Sequence, residues 1–365
     1  MTMAASLFLT GCGGSNNSST DSASSSGSSN GSGKRVVNVC SWGEYIDEDL
    51  IYKFEDETGI KVNYQTAESN EALYSLLSIG GADYDVIVPS DYMIARLIDE
   101  GMLAELNYDN IPNYAKIGEQ YKSLSFDPEN KYTVPYTWGT LGIIYNSTMV
   151  DGDIDSWDAM FDEKYAGNVL MIRNSRDALA AALLDLGHDI NTTDESQIRE
   201  AYELLADAKS KGVYQSFVMD EVFGKMEGSN AAIAMYYAGD YLTMLDNNPD
   251  LKFVVPKEGS NWFVDAMCVL KTAQHKEEAE AWINFIASTE SNLANMDYIG
   301  YASPNLEALE GYPAYYEETY GEPLDEERYE IMAAPDDVLA RCELYTNLPA
   351  DTLTLYNDLW TELGI

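Results

Sequence analysis

Val36-Val37-Asn38-Val39-Cys40-Ser41-Trp42-Gly43-Glu44-Tyr45 opens as an apolar, β-favouring run and closes as a turn carrying an indole, a carboxylate and a phenol. The first half predicts a buried strand. Working outward, Asp47 is placed to cap a helix with Leu50, Ile51 and Phe54 on one face, and Gly59 to end it. Ile60 to Tyr64 reads as a second strand, and Asn70 as the cap of a helix through Ile79. Asp85-Val86-Ile87-Val88-Pro89 reads as a third strand, followed by a helix toward Gly101. Strands alternating with helices predict an α/β fold with a mostly parallel sheet covered on both faces. Ligands of such sheets sit outside the carboxyl ends of the strands, where Trp42, Glu44 and Tyr45 fall. A carboxylate between rings suits an organic cation, the acid supplying counter-charge and the ring faces covering an alkyl stem. The same residues would also suit a buried Trp–Tyr pair beside a solvated Glu. The third strand ends similarly, in Ser90-Asp91-Tyr92.

The bulk numbers agree with a cation-binding protein without demanding one. Of 365 residues, 21 are Lys or Arg and 62 are Asp or Glu, a formal charge of −41. That field repels nucleic acid and anionic lipid, and it also serves plain solubility. Length beyond the first thirty or so residues suits two domains of ordinary size. No internal repeat is present.

Residues 1–12 form a short apolar run ending in Leu9-Thr10-Gly11-Cys12, which resembles the lipobox of bacterial lipoproteins, with Cys12 as the lipidated residue. No Lys or Arg precedes the run, as a secretory signal normally has, so its start is read as trimmed or misassigned. Residues 13–33 are almost wholly Ser, Gly and Asn, the composition of a flexible tether. Cys40, Cys268 and Cys342 remain, an odd number that excludes a full disulfide framework; Cys40 and Cys268 lie in apolar runs and read as buried thiols.

Farther along, Tyr132-Thr133-Val134-Pro135-Tyr136-Thr137-Trp138-Gly139 leads into Leu141-Gly142-Ile143-Ile144-Tyr145-Asn146, a candidate crossing segment between domains. Asn174 or Ser175 caps a helical run that starts with Asp177, Asn191-Thr192-Thr193-Asp194 caps another through about Lys211, and Ala231 to Tyr237 is a strand leading into Ala238-Gly239-Asp240. Ala281, Trp282, Phe285 and Ile286 share one face of a core-packing helix.

Taken in order, Ser41-Trp42-Gly43-Glu44-Tyr45, Glu68-Ser69-Asn70-Glu71, Val88-Pro89-Ser90-Asp91-Tyr92, Pro135-Tyr136-Thr137-Trp138-Gly139, Pro256-Lys257-Glu258-Gly259, Asp265-Ala266 and Ile299-Gly300-Tyr301 resemble the landmarks of bacterial spermidine/putrescine-binding proteins, the solute receptors of polyamine ABC importers. The match runs from about Lys34 to the end. The resemblance implies a two-lobed periplasmic-binding-protein type II fold, each lobe a mostly parallel sheet flanked by helices, with a polyamine in the cleft. Lobe 1 is expected at 34–140 plus 264–311, and lobe 2 at 141–263 plus 312–365.

It further implies Glu44, Asp177, Asp240 and Asp265 as counter-charges, with Asp265 aligned to the family's main carboxylate. Trp42, Tyr45, Tyr92, Tyr237, Phe263 and Tyr301 would line the methylene chain, and Ser90 would hydrogen-bond. Asn174 stands where the family usually has an acid, and Arg173 and Arg176 would repel an amine if they faced the cleft. Phe263 is expected in the cleft and Trp262 on the opposite side, because side chains alternate along a strand. Thr346 falls loosely where the family often has Gln. Asp240 and Phe263 resemble putrescine-selective members, leaving putrescine and spermidine both open. The implied partners are a polyamine, an ABC permease and, through Cys12, the outer face of the membrane, for a monomer with no cofactor, metal or nucleic acid.

Aromatic platforms also serve sugars, so a receptor for a neutral solute is the second reading. An extracellular glycan hydrolase built on paired acids is the third. The chain has no Walker loop, no Gly-x-Ser-x-Gly and no His-Glu-x-x-His, and His188 and His275 are read as surface residues.

Overall fold

Strand β1 (Val36–Trp42) grows from the opening apolar run and buries Val37, Val39 and Cys40. The computed structural model describes residues Arg35–Ile365. Helix α1 (Asp49–Thr58) begins where the Asp47 carboxylate accepts the Asp49 N–H at 3.0 Å, and it stops at Gly59 with φ 68°. Strand β2 (Lys61–Ala67) returns parallel to β1, in register from Val36 with Lys61 to Trp42 with Ala67. Helix α2 (Asn70–Ser78) is capped by Ser69, whose hydroxyl accepts from the Ala72 N–H at 3.1 Å. Asn70, expected as the cap, is the first helical residue, and its amide is engaged instead with Ser90. Strand β3 shrinks to Val86–Ile87. Beyond it Val88 donates to Cys40, while Pro89, lacking an N–H, only accepts from Ala266. Helix α3 (Asp91–Asp99) follows.

Strand β4 (Thr133–Asn146) is 14 residues long and buried throughout. The chain continues through β5 (Val169–Ile172), α4 (Ser175–Asp185), α5 (Glu195–Ser210), β6 (Tyr214–Val218), α6 (Glu221–Glu227), β7 (Ile233–Tyr237), α7 (Ala238–Asn247), β8 (Leu251–Val254) and β9 (Ser260–Val269). It closes with α8 (Lys276–Ile286), α9 (Thr289–Ile299), α10 (Leu306–Tyr320), α11 (Glu326–Met332), α12 (Asp336–Leu339), β10 (Cys342–Glu343) and α13 (Ala350–Leu363).

The strands lie in the order β2-β1-β3-β9-β4-β7-β5-β6, with β10 on β9 and β8 on β4. Parallel pairing holds within β2-β1-β3 and within β7-β5-β6, as βαβ succession dictates. The long crossing strands β4 and β9 are antiparallel to their larger neighbours, which makes each lobe's sheet mixed at its inner edge. Residues 133–140 of β4 pair with β9, and residues 141–146 pair with β7 and β8. One strand thus belongs to both halves of the two-lobed α/β fold.

Trp282 of α8 packs edge-on against Phe54 of α1 at 5.1 Å, anchoring the core behind β1. A second buried cluster runs from Ile87 and Leu97 through Ile143 and Ile144 to Leu179, Leu183 and Tyr356. Cys40, Cys268 and Cys342 are free thiols, all buried, and burial pushes each one's pKa up, that of Cys342 to about 11. His275 departs from its expected surface role. It is half-buried, and its Nδ1 lies 3.0 Å from the buried Asp85 carboxylate, which also accepts the Asn38, Gln274 and His275 N–H groups. Among the described residues no helix is long and apolar enough to cross a membrane.

Candidate functional site

The ends of β1, β3, β5 and β7 converge with the middle of β9 on a cavity of about 240 Å³. Of the expected site residues, Trp42, Tyr45, Ser90, Tyr92, Asn174, Asp177, Tyr237, Asp240, Phe263, Asp265 and Tyr301 line it. Glu44 does not. It takes a left-handed φ of 48° in the turn after β1 and is exposed, outside the lining. Gly43 lines the cavity in its place, and a Cβ there would sit 2.5 Å from Oδ2 of Asp220, which also lines it.

Asp265, on β9, is buried and organises the first group. Its Oδ2 accepts from Trp42 Nε1 at 3.0 Å and from the Tyr45 hydroxyl at 3.0 Å, and Tyr45 also contacts Thr137. Burial pushes its carboxyl up to about 6, against the stabilising side chains of Ser90, Tyr45 and Trp42 beside it. Asn70 donates to the Ser90 hydroxyl at 3.0 Å and accepts the Ser90 N–H, fixing that residue next to Asp265.

Asp177 organises the second group, in the first turn of α4. Asn174 is the cap, accepting the Arg176 and Asp177 N–H groups. The Asp177 carboxylate accepts from the Tyr237 hydroxyl at 2.7 Å and from Tyr345 at 3.0 Å. Burial again lifts the carboxyl to about 6. Arg176 does not line the cavity. It is buried behind it among Tyr92, Tyr345 and Tyr356, donating to Thr346 O and Asn191 Oδ1. Arg173 does line it, exposed and 3.5 Å from Glu68.

Asp240, in the first turn of α7, accepts from the Tyr301 hydroxyl at 2.9 Å, and burial lifts its carboxyl to about 8. Gly239 makes this contact possible, since a Cβ there would collide with the Tyr301 ring. The rings connect the three acids. Tyr45 meets Tyr301 edge-on at 5.1 Å, Tyr301 meets Phe263 at 6.1 Å, and Phe263 meets Tyr237 at 5.4 Å.

Sequence reasoning missed several lining residues. Tyr345 comes from an irregular segment before α13, whereas neighbouring Thr346 instead holds Asn191 and is absent from the lining. Asp91, Asp220, Tyr236 and Asn261 also line the cavity. Trp262 does not, while its neighbour Phe263 does, as strand alternation requires. Among the described residues, the lining carries the carboxylates of Glu68, Asp91, Asp177, Asp220, Glu221, Asp240 and Asp265 against the one cation of Arg173. Such a cavity favours a cation, and its aromatic walls favour one with an apolar stem. Among the described residues no cluster of three or more metal-ligating side chains occurs.

The model of the bacterial extracellular solute-binding protein family matches residues 49–321. A spermidine/putrescine-binding periplasmic protein of Salmonella typhimurium is 33% identical over 271 residues, 73% of this chain and 77% of that protein. The putrescine-binding periplasmic protein SpuD of Pseudomonas aeruginosa is 29% identical over 90% of this chain and 92% of its own. A solved structure described as a putative spermidine/putrescine ABC transporter from Listeria monocytogenes superposes with TM-score 0.83 at 37% identity, covering 91% of this chain and 99% of that one. The chain therefore belongs to the bacterial extracellular solute-binding proteins, in the family of the spermidine/putrescine-binding periplasmic proteins.

Proposed function

We propose that this chain is an extracytoplasmic polyamine receptor that hands its ligand to an ABC import permease and performs no catalysis. The observation carrying this reading is the set of buried carboxylates, Asp265 on one side and Asp177 and Asp240 on the other, joined by a continuous run of rings. Ammonium groups would pair with the acids, and the methylenes would lie against Tyr45, Tyr237, Phe263 and Tyr301. Burying the four methylenes of putrescine contributes about 3 kcal/mol, and each charge-assisted hydrogen bond about 1.5–3 kcal/mol. Asp240 and Phe263 favour putrescine over spermidine.

The proposed lobes are 34–140 plus 264–311 and 141–263 plus 312–365, supported by the change of β4 partners after Thr140. The carboxylates then come from both lobes, so the ligand favours the closed state because only closure makes both sets of contacts. Cys12 and the Ser/Gly/Asn tether lie outside the described residues. The proposal retains them as a lipid anchor and spacer, for a monomer at the outer face of the membrane. Calorimetric titration of the refolded chain with putrescine, spermidine and glucose tests the reading. Tight binding of a polyamine that weakens with added salt is expected; no heat with either polyamine would overturn it.

A further inference from the structure

Asp265 and Asp91 each leave one carboxylate oxygen unserved. On Asp265, Oδ2 accepts from Trp42 and Tyr45, and Oδ1 has no partner at hydrogen-bond geometry, although the Ser90 hydroxyl lies beside the carboxylate. On Asp91, Oδ1 accepts the Tyr92 N–H at 2.6 Å, and Oδ2 has none. Both residues are almost wholly buried, at 3% and 0% exposure, and both line the cavity. They come from adjoining backbone. Ser90, immediately before Asp91, forms an antiparallel bridge with Asp265, and the Ala266 N–H donates to Pro89 O at 3.2 Å. Burial raises the Asp91 carboxyl well above its ordinary range. The Tyr92 N–H opposes that rise, the Asp265 charge adds to it, and Arg176 and the nearby Val264 N–H, which makes no hydrogen bond to Oδ2, offset part. Two buried acceptors without donors are costly, and Asp91, the first residue of α3, does not need its second oxygen to hold the Tyr92 N–H, which an amide oxygen would receive equally well.

We propose that Asp91 is the second carboxylate of the ammonium anchor, one primary ammonium donating to Oδ1 of Asp265 and Oδ2 of Asp91 together. The inference rests on the polyamine reading and deepens it by naming the terminus selected. A primary ammonium carries three N–H donors and serves both oxygens with one to spare. A trimethylammonium carries none and leaves both oxygens unsatisfied, whatever its charge.

The test is calorimetric titration of the full chain, and of Asp91→Asn and Asp91→Ser, with putrescine and with its analogue trimethylated at both nitrogens. Thermal unfolding establishes that each variant is folded. Wild type is expected to prefer putrescine by about a hundredfold. Asp91→Asn is expected to weaken putrescine by about tenfold or more while barely changing the analogue, so that the preference narrows. Either folded variant binding putrescine as tightly as wild type, or losing both ligands by the same factor, overturns the role of Asp91 alone. Wild type that binds no polyamine overturns the polyamine reading and this inference together.

Discussion

Ligand binding should expel protons, in a number set by the acids of the cavity. The carboxyls of Asp265 and Asp177 sit at about 6 and that of Asp240 at about 8, burial being the leading cause in each. With these acids buried and no cation beside them, Asp240 is about nine-tenths protonated at pH 7 and each of the other two about one-tenth. Ammonium groups keep their own protons at this pH and pair with carboxylates, so binding drives all three acids to the charged form. These three acids release about one proton per ligand at pH 7, about two at pH 6 and about one half at pH 8, and Asp91, whose carboxyl burial also raises, adds to that number. The sign follows from linkage: a site whose empty form holds more protons than its filled form binds more tightly as pH rises. Affinity should weaken about thirtyfold or more from pH 7 to pH 6 and level off above pH 8. Calorimetry at pH 7 in two buffers of different ionisation enthalpy counts the protons directly. Asp240→Asn should lower the release by about one proton at both pH 7 and pH 6. Putrescine binding at pH 7 with no proton released by wild type would refute the assignment of a protonated Asp240 to the empty site.

Asp265→Asn should weaken polyamine binding by a hundredfold or more, because the ammonium loses its counter-charge, and yet stabilise the empty protein. Burial lifts that carboxyl from the ordinary range to about 6, so ionising it in the folded state costs about 3 kcal/mol. This cost is absent below pH 4, accrues as pH rises and is complete above pH 6, so the variant's gain in melting temperature should appear at pH 8 and vanish at pH 4; an equal gain at both would contradict the argument. Gly239→Ala forces the Tyr301 ring aside and breaks its hydrogen bond to Asp240. It should cost about 1–3 kcal/mol of stability and weaken binding, and a thermal melt and titration both matching wild type would show that the close approach is unimportant.

Much of the fold was legible because it rests on periodicity and punctuation. The β1 run, the Asp47 and Gly59 helix ends and the glycine-marked crossing of β4 each declare themselves locally. The parallel character was legible only in part, since pairing of β4 with β9 joins residues more than a hundred apart and leaves no local trace. The site divides in the same way. Asp177 and Asp240 stand at helix starts and Asp265 two residues after Phe263 in a strand, where an acid near rings is noticeable. Tyr345 stands in irregular chain, held to Asp177 across 168 positions, and no spacing announces it. Glu44 looked like a ligand because of its neighbours Trp42 and Tyr45. Its backbone decides otherwise, since a left-handed φ in the turn leaves its side chain outside the lining while Gly43 takes the inner place.

The cavity also explains why a receptor of this kind would respond to its ligand by closing. The cavity buries several acids compensated mainly by phenol hydroxyls and one indole, and two of their carboxylate oxygens have no donor at hydrogen-bond geometry. Opening would return these groups to water and relieve the cost. A diammonium ligand supplies in the closed state the charge that water supplies in the open one, so its affinity differs between the two states by the desolvation it cancels. That difference, and not tightness of binding as such, is what shifts a conformational equilibrium. Under the proposed reading the acids therefore serve twice: they recognise the cation, and their burial makes closure around it more favourable than closure without it.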